Sequence, residues 1–222
     1  MSETLASIVN VRQSGVRSIN IELDLRDRAV AQGYVSTVQA LRSLARILEG
    51  VAGKSSSRAW TLTGPYGSGK SFFSLFLMNL VCVQEPAHET AIQQLRSTDP
   101  MLSEQIESAA NLIASKGLLP VPITGFRASL QECLRRGLHQ ALQPYAWSEE
   151  IRLALADLSQ QTLNTESRQF AQVLQRLLGA VTQPELGFGG ILIVFDEMGK
   201  SLEYAAAHPA DTDIYLLQEI AE

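Results

Sequence analysis

A glycine-rich stretch of eight residues, GPYGSGKS at 64–71, constrains the fold of this chain more than any other feature. It follows the short run AWTLTG at 59–64 and leads into an apolar stretch at 71–83. The first run predicts a strand, and the second, apolar on every side, predicts a helix buried against a sheet. Strand, glycine loop and buried helix together predict an α/β domain with a mainly parallel sheet flanked by helices.

The composition agrees with a domain of this kind. With 222 residues, 45% of them hydrophobic, the chain can bury a real core. Its net charge of −5 argues against a surface dominated by nucleic-acid contacts. Cys82 and Cys133 lie in apolar helical patterns without metal-site spacing, so we interpret them as core residues. The N-terminus has no signal-peptide pattern and no apolar run approaches the length of a membrane span, which favours a cytoplasmic protein without membrane contact.

The pattern along the chain predicts two parts, an N-terminal strand and helix segment at 1–53 and the α/β core at 54–222. Alternation at 16–25 predicts a half-buried strand or extended arm, and the stripe at 36–50 predicts a helix with a capping box at Ser36 and Gln39. Further strands are predicted at 121–125 and 189–197. Further helices are predicted after Pro86, from Asp99 to near Gly117, and at 129–142, 148–158, 165–181 and 211–222.

The loop at 64–71, which we call the phosphate loop, matches the pattern GxxxxGKS without a departure. Its glycines permit backbone conformations in which successive N–H groups surround a phosphate, Lys70 brings a cation to the phosphates, and the Ser71 hydroxyl suits Mg²⁺. The alternative is a chance match in a glycine-containing turn. The predicted nucleotide-binding residues are Gly64, Pro65, Tyr66, Gly67, Ser68, Gly69, Lys70, Ser71 and Phe72.

Two adjacent acids, Asp196 and Glu197, follow the apolar run at 191–195. The end of a buried strand is a costly place for them unless they serve a cation or a reaction. We therefore predict that Asp196 holds Mg²⁺ together with Ser71. We predict that Glu197 accepts a proton from the attacking water or orients it, with Lys70 as the second catalytic group. In the alternative interpretation the two acids only cap the next helix.

This pair of motifs resembles the Walker A and Walker B motifs of P-loop ATPases of the AAA+ division. Within it, LTGPYGSGKS, DEMGKSLEYAAAHP and DIYLLQEIAE resemble the N-terminal ATPase region of large bacterial phage-defence ATPases of the BREX type. The resemblance covers the chain from about Gly33 onward. It implies a P-loop core that binds and hydrolyses Mg²⁺-ATP to drive or switch a larger machine. The partners it implies are other subunits or domains of that machine, and nucleic acid reached through them.

Two other functions stay open. The residues from Asp196 to Gly199 also satisfy the DxxG pattern of GTPases, but no [NT]KxD segment follows them. The adjacent Glu197 and the long gap between the motifs favour ATP. A nucleotide-gated signalling or assembly module without significant turnover would carry the same motifs.

One strand of the AAA+ sheet has no counterpart in the sequence. The resemblance implies a later strand, with a polar sensor residue, between the phosphate-loop strand and the strand that ends at Asp196. We therefore expect the chain to be the N-terminal piece of a longer ATPase. Alternatively, the INIEL segment at 19–23 could fill the vacant position.

Three charged residues near the motifs receive ordinary interpretations. Arg127 follows the strand at 121–125, and we interpret it as a solvated residue at a helix start rather than a finger acting on a neighbouring site. Lys200 and Glu203 lie one helical turn apart, and we expect them to form an ion pair, the alternative being that they contact the nucleotide site.

Overall fold

The structure, a computed structural model, describes residues 18–83, 85–113, 116–160, 167–209 and 215–221. The described protein is mixed α/β, mostly helical, with a two-stranded sheet. Its strands are β1 (Leu119–Thr124) and β2 (Ile191–Asp196). Its helices are α1 (Ile21–Asp24), α2 (Arg28–Gly33), α3 (Val38–Val51), α4 (Lys70–Val81), α5 (His88–Thr98), α6 (Pro100–Ile113), α7 (Leu130–Leu142), α8 (Glu149–Gln160), α9 (Ser167–Val181), α10 (Gly199–Ala207) and α11 (Leu216–Ala221), with a 3₁₀ turn at Gln143–Tyr145.

The two strands are parallel, with Leu119 opposite Ile191 and Thr124 opposite Asp196. This confirms both strands predicted for the second half of the chain. Because parallel strands end at the same edge of a sheet, Thr124 and Asp196 share its carboxyl edge. The residues of β1 itself prevent a further strand from pairing with its outer edge. Leu119 N–H donates to Gly190 O at 2.9 Å, so the backbone N–H and C=O groups of the odd-numbered residues of β1 point toward β2.

Pro120 and Pro122, which have no N–H to donate, therefore lie along the outer edge of β1, a position typical of prolines in edge strands. The next N–H on that edge, from Thr124, donates to the Glu22 carboxylate of α1 at 2.6 Å. This arrangement leaves no free donor at that edge from Pro120 to Thr124.

Two core clusters cover the two faces of the sheet, and the alternation of β2 divides its side chains between them. The first core cluster joins α1 to α6 and includes Leu192 and Val194. The second core cluster joins β1 with α7, α8, α9 and α11, and includes Ile191, Ile193 and Phe195. The described protein is thus a layer of sheet between two layers of helices.

Helix α4 is buried from Phe73 to Val81, as the apolar stretch predicts. It packs against α1, α5 and β2, and its last turn is tied to the start of β1, where Leu118 N–H donates to Val81 O at 3.0 Å. A helix of 12 residues is ~18 Å long, close to the ~20 Å of a six-residue strand. Since α4 ends at the amino edge of the sheet and packs on β2, we infer that its first residue, Lys70, lies toward the carboxyl edge.

Two predicted strands are wrong. Residues 21–24 form α1 because Asn20 caps a helix there, with its side chain accepting from the N–H groups of Glu22 and Leu23. The INIEL segment therefore does not fill a place in the sheet. The run at 59–63 lies outside any helix or strand, and apart from Trp60, whose side chain packs on the first core cluster, it is exposed.

Strand β2 differs from its prediction in burial. We expected a fully buried strand, but all six of its residues are half-buried. The reason is that, within the described ranges, β2 has a hydrogen-bonded neighbour on one side only.

The helix caps agree in part with the sequence. Asp99 accepts from Leu102 N–H at 3.0 Å at the start of α6, and Ser129 accepts from Glu132 N–H at 3.2 Å at the start of α7, as predicted. For α3 the prediction is wrong by one residue, because Thr37 is the cap rather than Ser36.

Cys82 and Cys133 are free and buried, as predicted for core residues. The predicted elements at 16–17, 114–115, 165–166, 211–214 and 222 lie outside the described residues. In the ranges given above, no helix combines the length and apolarity needed to span a membrane.

Candidate functional site

The phosphate loop is shaped by a tight turn and two left-handed glycines. Ser68 N–H donates to Pro65 O at 3.3 Å, which places Tyr66 and Gly67 at the tip of the turn. Gly67 has φ 76° and Gly69 has φ 83°, a backbone region that residues with a side chain rarely adopt. The Tyr66 side chain is 95% exposed, so the tip projects into solvent.

Lys70 holds the loop closed on itself. Its Nζ donates to Gly64 O at 3.0 Å and to Pro65 O at 2.9 Å, and lies 3.5 Å from Ser68 Oγ. The ammonium group is thus surrounded by the same loop whose N–H groups are predicted to surround a phosphate. An anion bound in the loop would lie directly beside this cation.

The first turn of α4 presents uncapped donors. Gly69 is its N-cap and has no side chain to accept a hydrogen bond, and Phe73 N–H makes the first bond of the helix, to Gly69 O at 2.8 Å. The N–H groups of Lys70, Ser71 and Phe72 therefore have no partner within the helix and suit an anion. The Phe72 ring packs edge-on against Tyr34, with 5.2 Å between the ring centres.

Asp196 faces the same side of the sheet as α4. Side chains alternate along β2, and Leu192 and Val194, which share the parity of Asp196, pack on the first core cluster, to which α4 belongs. From the length of α4 and the place of its last turn, we infer that its start lies toward the carboxyl edge, where β2 ends, on the same face of the sheet as Asp196. This edge is where ligands bind in parallel α/β sheets.

The residues at this edge fit a magnesium ion. The Ser71 hydroxyl and the Asp196 carboxylate are hard oxygen ligands, and Mg²⁺ in nucleotide sites takes few protein ligands beside phosphates and water. Asp196 Oδ1 accepts from Glu197 N–H at 3.0 Å, which leaves Oδ2 for a cation. The described residues contain no group of three or more histidines, cysteines and carboxylates that would suit a metal held by protein alone.

Glu197 is fixed by its backbone rather than by burial. Its φ of 56° makes it the one non-glycine residue with positive φ among the described residues. The side chain is 46% exposed and Asp196 is half-buried, so our premise that both acids are buried is wrong. Their placement at the end of β2 is confirmed, but desolvation does not explain it. The alternative that the pair merely caps α10 gains no support, because Met198 is the N-cap and the start of this helix has no side-chain capping hydrogen bond.

Gly125, which follows β1, lies against the peptide that joins the two acids. Its N–H donates to Asp196 O at 2.8 Å, and a Cβ at this position would lie 2.5 Å from Glu197 O. The next residue, Phe126, accepts through its carbonyl from Ser201 Oγ of α10 at 3.3 Å. The segment after β1 thus holds both the acidic turn and the helix that follows it. Sequence reasoning missed this role of Gly125.

The expected ion pair between Lys200 and Glu203 is wrong, because the Lys200 ammonium donates to Glu197 Oε2 instead. Arg127 is exposed, as predicted for a solvated residue.

A second group at the carboxyl edge of β1 was also missed. Arg136 of α7 donates to Glu22 Oε1 at 2.9 Å, and its guanidinium lies 4.5 Å from the centre of the Phe126 ring. Glu22 at the same time binds Thr124 N–H, so α1 and α7 meet at the last residue of β1. The Thr124 hydroxyl oxygen is buried and, among the described residues, has no hydrogen-bond partner. The two contacts of Glu22 join residues more than a hundred positions apart, and no local pattern indicates them.

Comparisons of the chain with protein-family models, with curated proteins and with solved structures found no match.

Proposed function

We propose that this chain is a P-loop ATPase module that binds and hydrolyses Mg²⁺-ATP and thereby drives or switches a larger machine. One arrangement carries the proposal. The uncapped start of α4 carries two left-handed glycines and Lys70, and Asp196 at the end of β2 faces the layer of helices to which α4 belongs. The two halves of the proposed site, more than a hundred residues apart in sequence, would then meet at one edge of the sheet.

Each residue has a role that its chemistry supports. The N–H groups of the phosphate loop and of the first turn of α4 bind the phosphates, and Lys70 neutralises the charge of the β- and γ-phosphates. Ser71 and Asp196 would hold Mg²⁺, which supplies further positive charge to the phosphate oxygens. Glu197 orients the attacking water and accepts its proton as water attacks the γ-phosphorus and the bond to the ADP oxygen breaks.

We further propose that the module works in the bacterial cytoplasm, where ATP is at hand, as part of a phage-defence machine. The support for this is the resemblance of its Walker regions and of the GKSLEYA stretch to BREX-type ATPases. Other subunits and nucleic acid are the partners that this proposal names. Loss of phage protection in bacteria that carry the natural gene with Lys70→Ala would support it, and full protection by that variant would contradict it.

The experiment that tests the ATPase proposal measures binding and turnover separately. Calorimetry with Mg²⁺-ATP and with Mg²⁺-GTP gives the affinities of the full-length protein, and phosphate release gives its turnover. We expect ATP to bind more tightly than GTP, and we expect Glu197→Gln to bind ATP normally while its turnover falls by about 10²-fold or more.

The outcomes separate the competing functions. Failure of the wild-type protein to bind any nucleotide would overturn the proposal as a whole. Tighter binding of GTP would point to a GTPase. Tight ATP binding with a turnover that Glu197→Gln does not lower would point to a nucleotide-gated module without catalysis.

A further inference from the structure

We propose that Lys200 is a positioning residue for Glu197: it holds one oxygen of the carboxylate so that the other faces the attacking water. This inference rests on the proposed ATPase function. Lys200 Nζ donates to Glu197 Oε2 across one turn at the start of α10, and the two side chains are 49% and 46% exposed. Exposed ion pairs of this kind usually contribute little to stability. Whether this pair has a role therefore depends on how firmly the backbones of Glu197 and Lys200 are held.

On the glutamate side, the backbone is fixed by three contacts. Glu197 N–H donates to Asp196 Oδ1 at 3.0 Å, Glu197 O accepts from Lys200 N–H at 3.1 Å, and the same carbonyl packs against Gly125. A non-glycine residue is held in the left-handed region only where the surrounding structure determines it. The Cα–Cβ bond of Glu197 therefore leaves the chain in one direction.

On the lysine side, the neighbouring residue anchors the helix. Ser201 is fully buried, and its Oγ lies 3.3 Å both from Phe126 O and from Cys133 Sγ. The first turn of α10 is thus bound to the segment after β1 and to α7. Because both backbones are fixed, the pair loses only side-chain freedom when it forms, and each side chain limits the rotamers of the other.

The contact with Lys200 is expected to affect the orientation of the Glu197 carboxylate rather than the affinity for ATP. A glutamate at an exposed turn can rotate about three side-chain bonds, and a misplaced catalytic group lowers the reaction rate strongly. With Oε2 bound to Lys200, the remaining oxygen, Oε1, points in one direction only. Lys200 belongs to α10 and not to the phosphate loop, so its loss is expected to change catalysis and leave nucleotide binding intact.

The test compares three variants of the full-length protein. Lys200→Met removes the ammonium and keeps the length of the side chain, and Lys200→Arg keeps a cation. Arg152→Met is the matched control, since it breaks an exposed pair with the same spacing in α8, where Arg152 lies 3.6 Å from Glu149. We expect kcat to fall about tenfold or more in Lys200→Met while KM and the ATP dissociation constant change less than about threefold. Lys200→Arg is expected to restore most of kcat, and Arg152→Met to change nothing.

A second measurement asks whether Lys200 acts through Glu197. In single turnovers, Lys200→Met is expected to lower the rate in the wild-type background and to cause no further fall in the Glu197→Gln background. An unchanged kcat in Lys200→Met, or an equal fall in both backgrounds, would overturn the inference while leaving the ATPase proposal intact. A wild-type protein without ATP turnover would instead remove the ATPase proposal, and this inference with it. Since both side chains are half exposed, thermal unfolding is expected to show folded variants.

Discussion

Gly125 and Glu197 are in such close contact that a single methyl group on the first would lie 2.5 Å from the carbonyl oxygen of the second. The contact joins the residue that follows β1 to the acidic turn that follows β2. It fixes the position of the Glu197 backbone independently of its side chain. The position of the proposed catalytic glutamate therefore depends on Gly125, a residue that has no side chain.

Gly125→Ala is expected to displace the Asp196–Glu197 peptide and to lower both stability and turnover. Overpacking of this kind costs about 1–3 kcal/mol of unfolding free energy. Urea unfolding and phosphate release measure the two effects. Gly179→Ala is the control, because a Cβ at this position of α9 would have nothing within 4 Å, and a gain of roughly 0.5–1 kcal/mol is expected there. Equal stability of wild type and Gly125→Ala would show that the turn adjusts freely.

Lys70→Ala is expected to weaken Mg²⁺-ATP binding by about tenfold or more. A hydrogen bond to a charged group contributes about 1.5–3 kcal/mol, and 1.4 kcal/mol corresponds to a factor of ten in affinity. Calorimetry checks the affinity. Lys54→Ala is the control, because Lys54 is exposed in the turn after α3, outside the phosphate loop. An affinity equal to wild type in Lys70→Ala would contradict the role given to this lysine.

Glu197→Gly is expected to stabilise the fold by about 1 kcal/mol relative to Glu197→Ala, while both variants lose turnover. Both remove the carboxylate and its contact with Lys200, so their difference isolates the backbone. At the φ of 56° found here, the Cβ of alanine lies too close to the backbone, and glycine, which has no Cβ, avoids this steric cost. Thermal unfolding of the two variants, side by side, measures this cost. Greater stability of Glu197→Ala would mean that the turn relaxes when the side chain is removed.

Glu85→Gln is expected to make stability less dependent on pH. Glu85 is 8% exposed, and burial raises the pKa of its carboxyl, although the Arg26 guanidinium, 3.4 Å away and itself 74% exposed, partly opposes this. Below the ordinary glutamate pKa of about 4.3 the group is protonated in both states and causes no penalty. As pH rises through the raised folded pKa, the unfolded chain releases the proton more easily, so the wild-type protein loses stability.

The measurement is the unfolding free energy at pH 4 and at pH 7 for wild type and Glu85→Gln. The variant is expected to lose less stability over this interval. Glu149→Gln removes a carboxylate that is 74% exposed, and its pH dependence is expected to match that of wild type. If Glu85→Gln followed wild type at both pH values, burial would not govern this group.

Local signals in the sequence predict much of the fold. These signals act within one or two helical turns or within one strand. The structure confirms the helix predicted from the apolar stretch of α4, the caps Asp99 and Ser129, and the strand predicted from the apolar run of β2. The errors occur where a short apolar run is compatible with either a helix or a strand. At 21–24 the Asn20 cap decides in favour of a helix, and at 59–63 no strand pairs with the run in the described protein.

The candidate site divides in the same way. The phosphate loop and the acidic pair are contiguous motifs, so the chemistry that they support can be predicted from their spacing. Gly125, Glu22 and Arg136 could not be found, because each acts on a residue that is distant in sequence. The partner of Lys200 was missed for a different reason. Glu197 and Glu203 both lie three positions from Lys200 in sequence, and helical spacing alone does not indicate that its ammonium contacts Glu197.

The prolines and Glu22 on the outer edge of β1 prevent the sheet from being extended by backbone pairing at that edge. Backbone pairing cannot be extended past Pro120 and Pro122, whereas the far side of β2 pairs with none of the residues that the structure describes. Any segment that widens this sheet must therefore line up beside β2. A segment that pairs there in the parallel direction would place its carboxyl end next to Asp196 and would form a wall of the proposed nucleotide site.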